Sequence, residues 1–238
     1  MKRAIKKVIE RSGYVLHKAS EDSGLEMIFE EFGSFTMISR SLYTENLRVA
    51  RMYAGEIRGD VVECGVWRGG MSAGLARVLG KNRKYYLFDS FEGLPAAKDI
   101  DGADAIQWQG DTKSVSYYDN CKAEIGFAEA VMKKTGVGFE LIKGWFSDTL
   151  PKSTISRPIA LLRLDGDWYE STMDCLTNLY PKVAQKGVII IDDYFTWEGC
   201  SKAVHDYLSS IKSSSRIHTS AGGVCYIIKT DHTLEKPV

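Results

Sequence analysis

Short segments rich in β-branched residues alternate with amphipathic segments along most of this chain, and this alternation is the strongest constraint on its fold. Strand-like runs end at glycine or aspartate, and runs with apolar residues three or four positions apart follow several of them. This pattern predicts a single-domain, doubly wound α/β fold with a mostly parallel, seven-stranded sheet and an antiparallel edge strand. The predicted strands span 60–65, 85–89, 139–143, 159–164, 187–192, 216–219 and 223–229, and the predicted helices lie within 36–58, 71–79, 172–180 and 200–211.

Two parts of the chain depart from the alternation. Residues 1–35 are predicted to form a helical extension ahead of a domain spanning 36–238, and Ile5, Val8 and Ile9 share one face of its first helix. We expect that face to dock onto the domain or onto a partner subunit, with weak association with a membrane surface as the alternative. Residues 93–120 have no period of 2 or 3.6 but contain several aromatic residues, which favours a lid over a disordered loop.

Composition excludes several classes of protein. The 238 residues include 31 basic and 31 acidic side chains, so the net charge is zero and gives no general attraction to nucleic acid. No apolar run approaches the roughly 18 residues that a transmembrane helix needs. The five cysteines are widely spaced and form no C-x-x-C pattern, which is typical of reduced thiols in a cytoplasmic protein rather than of a zinc site.

Two loops that follow predicted strands have features of a nucleoside-binding site. The first reads E-C-G-V-W-R-G-G from Glu63, and Gly65 would let a ligand approach the backbone, although the same glycine also fits an ordinary tight turn. Asp89 ends the next strand, 26 positions after Glu63. A carboxylate at that place accepts hydrogen bonds from ribose hydroxyls in dinucleotide-binding folds. A helix N-cap is the alternative role for Asp89.

Four aspartates after later strands form the most informative pattern. Asp165 and Asp167 follow one predicted strand, and Asp192 and Asp193 follow the next. Carboxylates that meet at one sheet edge repel each other unless a cation lies among them. Asp165, Asp192 and Asp193 are therefore predicted to bind magnesium, with manganese or calcium possible and a set of helix N-caps as the other interpretation. Asp167 is the predicted general base, or alternatively an outer-shell ligand.

Taken together, these segments resemble the macrocin O-methyltransferase family. The resemblance rests on residues 63–70, 89–95, 144–146, 148–151, 163–172 and 192–194, and it extends from about residue 36 to about residue 207. It implies a class I methyltransferase, Rossmann-like fold that uses S-adenosylmethionine and magnesium to methylate a sugar hydroxyl. The residues that it implies for cofactor binding are Thr36, Met37, Glu63, Gly65, Trp67, Asp89, Ser90, Gly93 and Trp145. It implies the same metal ligands and the same base as the aspartate pattern.

The same resemblance implies a small-molecule sugar or glycoside acceptor in natural-product biosynthesis, and a homo-oligomer that is a dimer or larger. The acceptor itself stays open, because residues 1–30 and 96–120 match the family poorly. A metal-dependent glycosyltransferase is the main alternative, since residues 165–167 also form the D-x-D pattern that holds a metal and a nucleotide sugar. A non-catalytic cofactor-binding subunit is the other, and the clustered aspartates argue against it.

Overall fold

The strands of residues 19–231, the part of the chain that the computed structural model describes, lie in one seven-stranded sheet. They are β1 (Asp60–Cys64), β2 (Lys84–Asp89), β3 (Gly138–Lys143), β4 (Ile159–Leu164), β5 (Val183–Ile191), β6 (Ile217–Thr219) and β7 (Cys225–Ile228). The helices are α1 (Ala19–Phe32), α2 (Arg40–Val49), α3 (Gly70–Leu79), α4 (Ala103–Gly110), α5 (Ile125–Thr135), α6 (Phe146–Thr149), α7 (Tyr169–Leu179) and α8 (Glu198–Ser210).

The order of the strands in the sheet is β3-β2-β1-β4-β5-β7-β6. The first five strands of the chain run parallel, whereas β7 runs antiparallel to both β5 and β6. This confirms the predicted doubly wound sheet with its antiparallel edge, and the antiparallel strand lies one position in from edge strand β6. Strand order reverses between β1 and β4, so a crevice forms at the carboxyl ends of these strands.

Helices cover both faces of the sheet, which explains why its central strands are apolar throughout. Successive side chains of a strand point to opposite faces, so Val61 of β1 lies in one hydrophobic core and Val62 in the other. The first core lies under α1, α2, α3 and α5, and the second under α7 and α8. A fully buried leucine such as Leu75 or Leu176 stabilises the fold by about 1.5–3 kcal/mol relative to its exposed state.

Every strand and helix predicted between residues 36 and 229 has a counterpart in the structure, but the pattern does not predict α4, α5 or the four-residue helix α6. Helix α5 buries Ala128, Val131, Met132 and Thr135, a face with only two large apolar residues. Helix α4 has eight residues, begins after Gly102 and buries only Ala105. Neither helix has a wide apolar stripe, so the hydrophobic period in both is weak.

The amino-terminal helix predicted around Ile5, Val8 and Ile9 lies outside the described residues. Helix α1, within the predicted extension, buries Leu25 and Phe32 in the first core. None of the helices described between residues 19 and 231 is both long and apolar enough to cross a bilayer. All five cysteines are free thiols.

Candidate active site

A cavity of about 520 Å³ lies at the carboxyl ends of the central strands, where strand order reverses. Doubly wound sheets bind their ligands at this position. Residues that follow β1, β2, β3, β4 and β5 line the cavity, together with the segment before α2. It contains every residue predicted to bind a cofactor or metal or to act as base: Thr36, Met37, Glu63, Gly65, Trp67, Asp89, Ser90, Gly93, Trp145, Asp165, Asp167, Asp192 and Asp193.

The loop after β1 passes so close to the loop after β4 that only glycine fits at position 65. Gly65 has a φ of +88°, and a Cβ atom there would lie 1.7 Å from the carbonyl oxygen of Asp165. The next two backbone N–H groups, of Val66 and Trp67, donate to Asp89 Oδ2 at 2.7 and 2.8 Å. Asp89 therefore joins the first two loops of the site, and it is not a helix N-cap.

Asp89 also orients the loop after β2. The Phe91 N–H donates to its Oδ1 at 2.6 Å, and the Ser90 hydroxyl donates to the Gly93 carbonyl oxygen at 2.8 Å. Burial raises the pKa of Asp89, although three backbone hydrogen bonds oppose the shift. A carboxylate has about four acceptor positions. With three in use, Asp89 retains capacity for a further donor such as a ligand hydroxyl.

Apolar side chains with large exposed fractions also line the cavity. Met37 and Leu42 are each 40% exposed and Trp145 is 37% exposed. Thr36 holds the adjoining turn, since its hydroxyl accepts the Ile38 N–H at 3.2 Å. A cavity with an apolar wall and a few polar groups is the usual form of a small-molecule site.

Three carboxylates converge on one side of the cavity. Asp165 and Asp167 follow β4, Asp193 follows β5, and one oxygen of each lies within 4.8 Å of the others. Burial raises the pKa of Asp165 and Asp193 well above the usual range, and the neighbouring carboxylates raise both further, while Arg163 opposes the shift at Asp165. A divalent cation would relieve this repulsion, and an all-oxygen donor set suits a hard ion such as magnesium. The residues therefore fit the predicted metal.

Asp192 is not one of the three carboxylates that lie within 4.8 Å of one another. Its Oδ1 lies 2.6 Å from Arg163 Nη2, while Arg163 Nη1 lies 2.8 Å from both Glu63 and Asp165. Arg163 is completely buried, and breaking a buried ion pair is costly because it leaves an unpaired charge. The structure thus brings Asp165 and Asp193 together with Asp167, and it pairs Asp192, the other predicted ligand, with Arg163.

Glu63 is held in the same buried network. Only 1% of the residue is exposed, and its side chain accepts hydrogen bonds from Arg163 and from the Ser72 hydroxyl. Burial raises the pKa of Glu63, and the charge of Arg163 opposes that rise. Arg163 consequently connects Glu63, near the end of β1, to aspartates that follow β4 and β5.

The predicted base, Asp167, has a backbone conformation that is uncommon for residues other than glycine. Its φ is +58°, in the left-handed region. The Trp197 indole N–H donates to Asp167 Oδ1 at 3.0 Å. Burial raises the pKa of Asp167 to about 7, an effect that the Trp197 hydrogen bond opposes and the charge of Asp192 increases. A carboxyl group with a pKa near neutrality is well matched to proton transfer at physiological pH.

Residues 93–120 pack against the amino ends of α7 and α8. The Tyr169 N–H donates to Asp101 Oδ1 at 2.7 Å, and the Trp168 indole donates to the Pro95 carbonyl oxygen at 2.9 Å. The Trp108 ring lies 5.9 Å from the Trp197 ring, measured between centroids. This segment therefore covers the side of the site on which Trp197 contacts Asp167.

Comparison with known proteins identifies the family of this chain. The profile of the macrocin O-methyltransferase family matches residues 27–222. The chain belongs to the macrocin O-methyltransferase family. Its relatives include demethyldecarbamoylnovobiocin O-methyltransferase of Streptomyces niveus, which is 36% identical over 188 residues that make up 74% of this chain and 68% of the relative.

Two further matches define the family context. The 8-demethyl-8-(2,3-dimethoxy-alpha-L-rhamnosyl)-tetracenomycin-C 4'-O-methyltransferase of Streptomyces olivaceus is 37% identical over 166 residues, 67% of this chain and 61% of the relative. The solved structure of the O-methyltransferase NovP is 33% identical, covers 83% of both chains and superposes with a TM-score of 0.67. The predicted family and its class I methyltransferase, Rossmann-like fold are thereby confirmed. The chain spans roughly two thirds of the length of the two curated relatives.

Two side chains of the candidate site in this member of the macrocin O-methyltransferase family are absent from the residues predicted by sequence. Arg163 does carry a signal, because it interrupts the apolar strand L-L-R-L and a charged residue is almost never fully buried unless it is paired. Trp197 carries no local signal, since it lies 30 positions from Asp167 in the chain. Only the packing of α8 against α7 brings the two together.

Proposed function

We propose that this protein is an S-adenosylmethionine- and magnesium-dependent O-methyltransferase that acts on a sugar hydroxyl of a small-molecule glycoside or saccharide. The observation that carries the proposal is the cluster of Asp165, Asp167 and Asp193 beside the cavity at the switch point of the sheet. Membership of the macrocin O-methyltransferase family supports methyl transfer. The name of the Streptomyces olivaceus relative, a rhamnosyl-tetracenomycin methyltransferase, supports a sugar acceptor.

The loops after β1 and β2 would hold the cofactor in this proposal. Asp89 has remaining acceptor capacity for a ribose hydroxyl, Gly65 permits close approach to the backbone, and Met37 and Trp145 provide apolar surface. A cavity of about 520 Å³ falls in the range of small-molecule and cofactor sites. When bound, S-adenosylmethionine supplies the methyl group and leaves as S-adenosylhomocysteine.

The metal ligands in this proposal are Asp165, Asp192 and Asp193. Asp192 would have to exchange its contact with Arg163 for the ion, while Arg163 keeps its pairing with Glu63. The raised pKa values of Asp165 and Asp193 indicate carboxylates with too little compensating charge, which is what a cation site requires. When bound, magnesium lowers the pKa of a nearby hydroxyl and offsets the negative charge of the aspartates.

Asp167 would accept the proton of the acceptor hydroxyl as the methyl group is transferred. Its left-handed backbone and its hydrogen bond from Trp197 hold the carboxyl group at the cavity wall. Residues 93–120 would act as the lid that excludes water from the site, which strengthens electrostatic interactions inside it. The same arrangement also orients the reacting groups, an effect that can lower a barrier by roughly 7–11 kcal/mol.

The proposal is tested first by calorimetric titration of the protein with S-adenosylhomocysteine and separately with UDP-glucose, each with magnesium present. We expect binding of S-adenosylhomocysteine in the micromolar range and none of UDP-glucose. The opposite result would favour the glycosyltransferase alternative. A subsequent screen of deoxysugar glycosides with S-adenosylmethionine, read by mass spectrometry as a gain of one methyl group, tests the acceptor class.

A further inference from the structure

Three tryptophans from separate elements form a cluster behind Asp167. Trp168 immediately precedes α7, Trp197 immediately precedes α8, and Trp108 lies in α4. The ring centroids of Trp168 and Trp197 are 5.3 Å apart, and Trp108 lies 5.9 Å from Trp197 and 6.3 Å from Trp168. Aromatic rings at such distances and in edge-to-face or tilted arrangements stabilise each other, so the cluster gives each ring a defined position.

The three indole N–H groups have different acceptors. Trp108 donates to the Ser116 carbonyl oxygen at 3.0 Å, and Trp168 donates to the Pro95 carbonyl oxygen at 2.9 Å. Both of these bonds hold residues 93–120. Trp197 instead donates at 3.0 Å to a carboxylate of the acidic cluster, Oδ1 of Asp167.

The remaining restraints on Asp167 act on its backbone. Its φ is +58°, and its N–H donates to Asp193 Oδ2 at 3.0 Å. Within residues 19–231, Trp197 supplies the side-chain hydrogen bond to the Asp167 carboxyl group, and Oδ2 of that group accepts no hydrogen bond from the protein. The two oxygens therefore differ, because one is held by the indole and the other is left to a ligand.

We infer that Trp197 is a positioning residue for methyl transfer, whose indole N–H fixes Oδ1 of Asp167 so that Oδ2 accepts the proton of the acceptor hydroxyl. This inference rests on the proposed function, because Trp197 acts only through the base. Trp108 packs on Trp197, so docking of residues 93–120 stabilises the same orientation of Asp167.

The first test compares Trp197→Phe with the matched control Trp168→Phe. Each change removes one indole N–H and keeps an aromatic ring in the same cluster. We expect Trp197→Phe to lower kcat by about 10-fold to 100-fold, the range for a misplaced catalytic group, with KM for S-adenosylmethionine changed less than about twofold. Trp168→Phe, which loses a bond to the Pro95 carbonyl oxygen rather than to the base, should lower kcat far less than Trp197→Phe does. Unchanged kcat in Trp197→Phe, or equal losses in both variants, would overturn the inference.

A second variant separates the hydrogen bond from packing. Replacement of Trp197 by β-(3-benzothienyl)alanine keeps the shape of the ring and exchanges the N–H for sulfur. The same loss of kcat is expected with an unchanged Tm, and full activity of this variant would overturn the inference.

A third test uses NMR spectroscopy and does not require the protein to be catalytically active. In ¹⁵N-labelled protein, the indole signal of Trp197 is the one that disappears in Trp197→Phe. It should move upfield in Asp167→Ala, while the Trp168 signal stays in place, because only Trp197 loses its acceptor. A Trp197 indole signal with the same chemical shift in Asp167→Ala as in the wild type would overturn the inference. Absence of methyl transfer by the wild type would instead count against the proposed function, and the indole signal still decides whether Trp197 holds Asp167.

Discussion

Two aspartates near opposite ends of the same strand show how surroundings determine what a carboxylate can do. Asp193 follows the carboxyl end of β5 and lies with Asp165 and Asp167 in the acidic cluster. Asp231 lies beyond β7 near the amino end of β5, where Gln185 donates to the carbonyl oxygen of the neighbouring Thr230. The groups that donate hydrogen bonds to the Asp231 carboxylate are the Tyr180, Ser213, Ser214 and Ser215 hydroxyls and the Ser214 and Ser215 N–H groups.

The two sites shift the pKa of their carboxyl groups in opposite directions. Burial opposes ionisation at Asp231, but the hydrogen bonds from Ser213, Tyr180 and Ser214 outweigh it and hold its pKa below the usual range. Burial and the neighbouring carboxylates raise the pKa of Asp193. Asp231 therefore stabilises the fold when it is charged. The charges of the acidic cluster destabilise the fold unless a cation or a proton binds there. Such a cost at one edge of a sheet is typical of a functional site.

The largest effect expected from this contrast is loss of turnover in Asp167→Asn. Asparagine keeps the shape and still accepts the Trp197 N–H, but it cannot take a proton, so kcat should fall by about 100-fold or more. Affinity for S-adenosylhomocysteine, measured by calorimetry, should stay within about threefold. Asp231→Asn is the matched control and should keep its activity. Equal loss of turnover and cofactor affinity in Asp167→Asn would contradict the assignment of the base.

The next effect concerns magnesium. Asp192→Ala removes a proposed ligand, so the magnesium concentration that gives half-maximal activity should rise about tenfold or more. Asp206→Ala, a substitution at an exposed position in α8, controls for the change in net charge. Magnesium dependence identical to that of the wild type would refute Asp192 as a ligand.

Removal of the carboxylate at the other site, Asp231, should lower the stability of the fold. Asp231→Ala leaves several hydroxyl and N–H donors without an acceptor, so the free energy of unfolding in urea should fall by about 1–2 kcal/mol, after allowing for solvent around this partly exposed group. Activity at low denaturant concentration should be retained. A stability equal to that of the wild type would mean that water replaces the carboxylate without cost.

In the acidic cluster, unfolding in urea should instead show a gain in stability on substitution. Asp193→Asn removes one charge and keeps an acceptor for the Asp167 N–H, so the metal-free protein should become more stable by about 1 kcal/mol. Magnesium should then stabilise the wild type more than the variant, because ligands stabilise the state that binds them. A less stable metal-free variant would contradict the view that charge repulsion dominates this cluster.

The last effect is a difference in pH dependence. The pKa of Asp167 is about 7 in the folded protein and about 3.9 in the unfolded chain, so its contribution to stability is complete below about pH 4 and is lost as the pH rises towards 7. Asp231 has a lowered pKa, so its contribution is present above about pH 4 and is lost as the pH falls below that value. In the presence of a chelator, Asp167→Asn should gain stability relative to the wild type as the pH rises from 5 to 8, because only the wild type must ionise a buried carboxyl group. A stability advantage of the variant that shrinks as the pH rises would contradict the raised pKa of Asp167.

The fold and the membership of the cavity could be predicted because both depend on local composition. Strands of a parallel sheet are continuously apolar, and the carboxyl ends of such strands meet at one edge. Asp165 and Asp193 are therefore placed at the same edge of the sheet, and Glu63 and Asp89 line the same cavity. Helices α4 and α5 were harder to predict, since few of their residues are buried.

The sequence by itself determined the strand–helix alternation, the glycine at position 65 and the set of acidic residues at the ends of the strands. Tertiary structure alone decided which of these carboxylates meet, since the positive φ of Asp167 turns it towards Asp165 and Asp193 while Arg163 holds Asp192. It also brought Trp197 to Asp167 across 30 positions of chain. The physical reason is that side-chain directions in loops depend on backbone angles and on contacts from distant segments, neither of which leaves a periodic trace in the sequence.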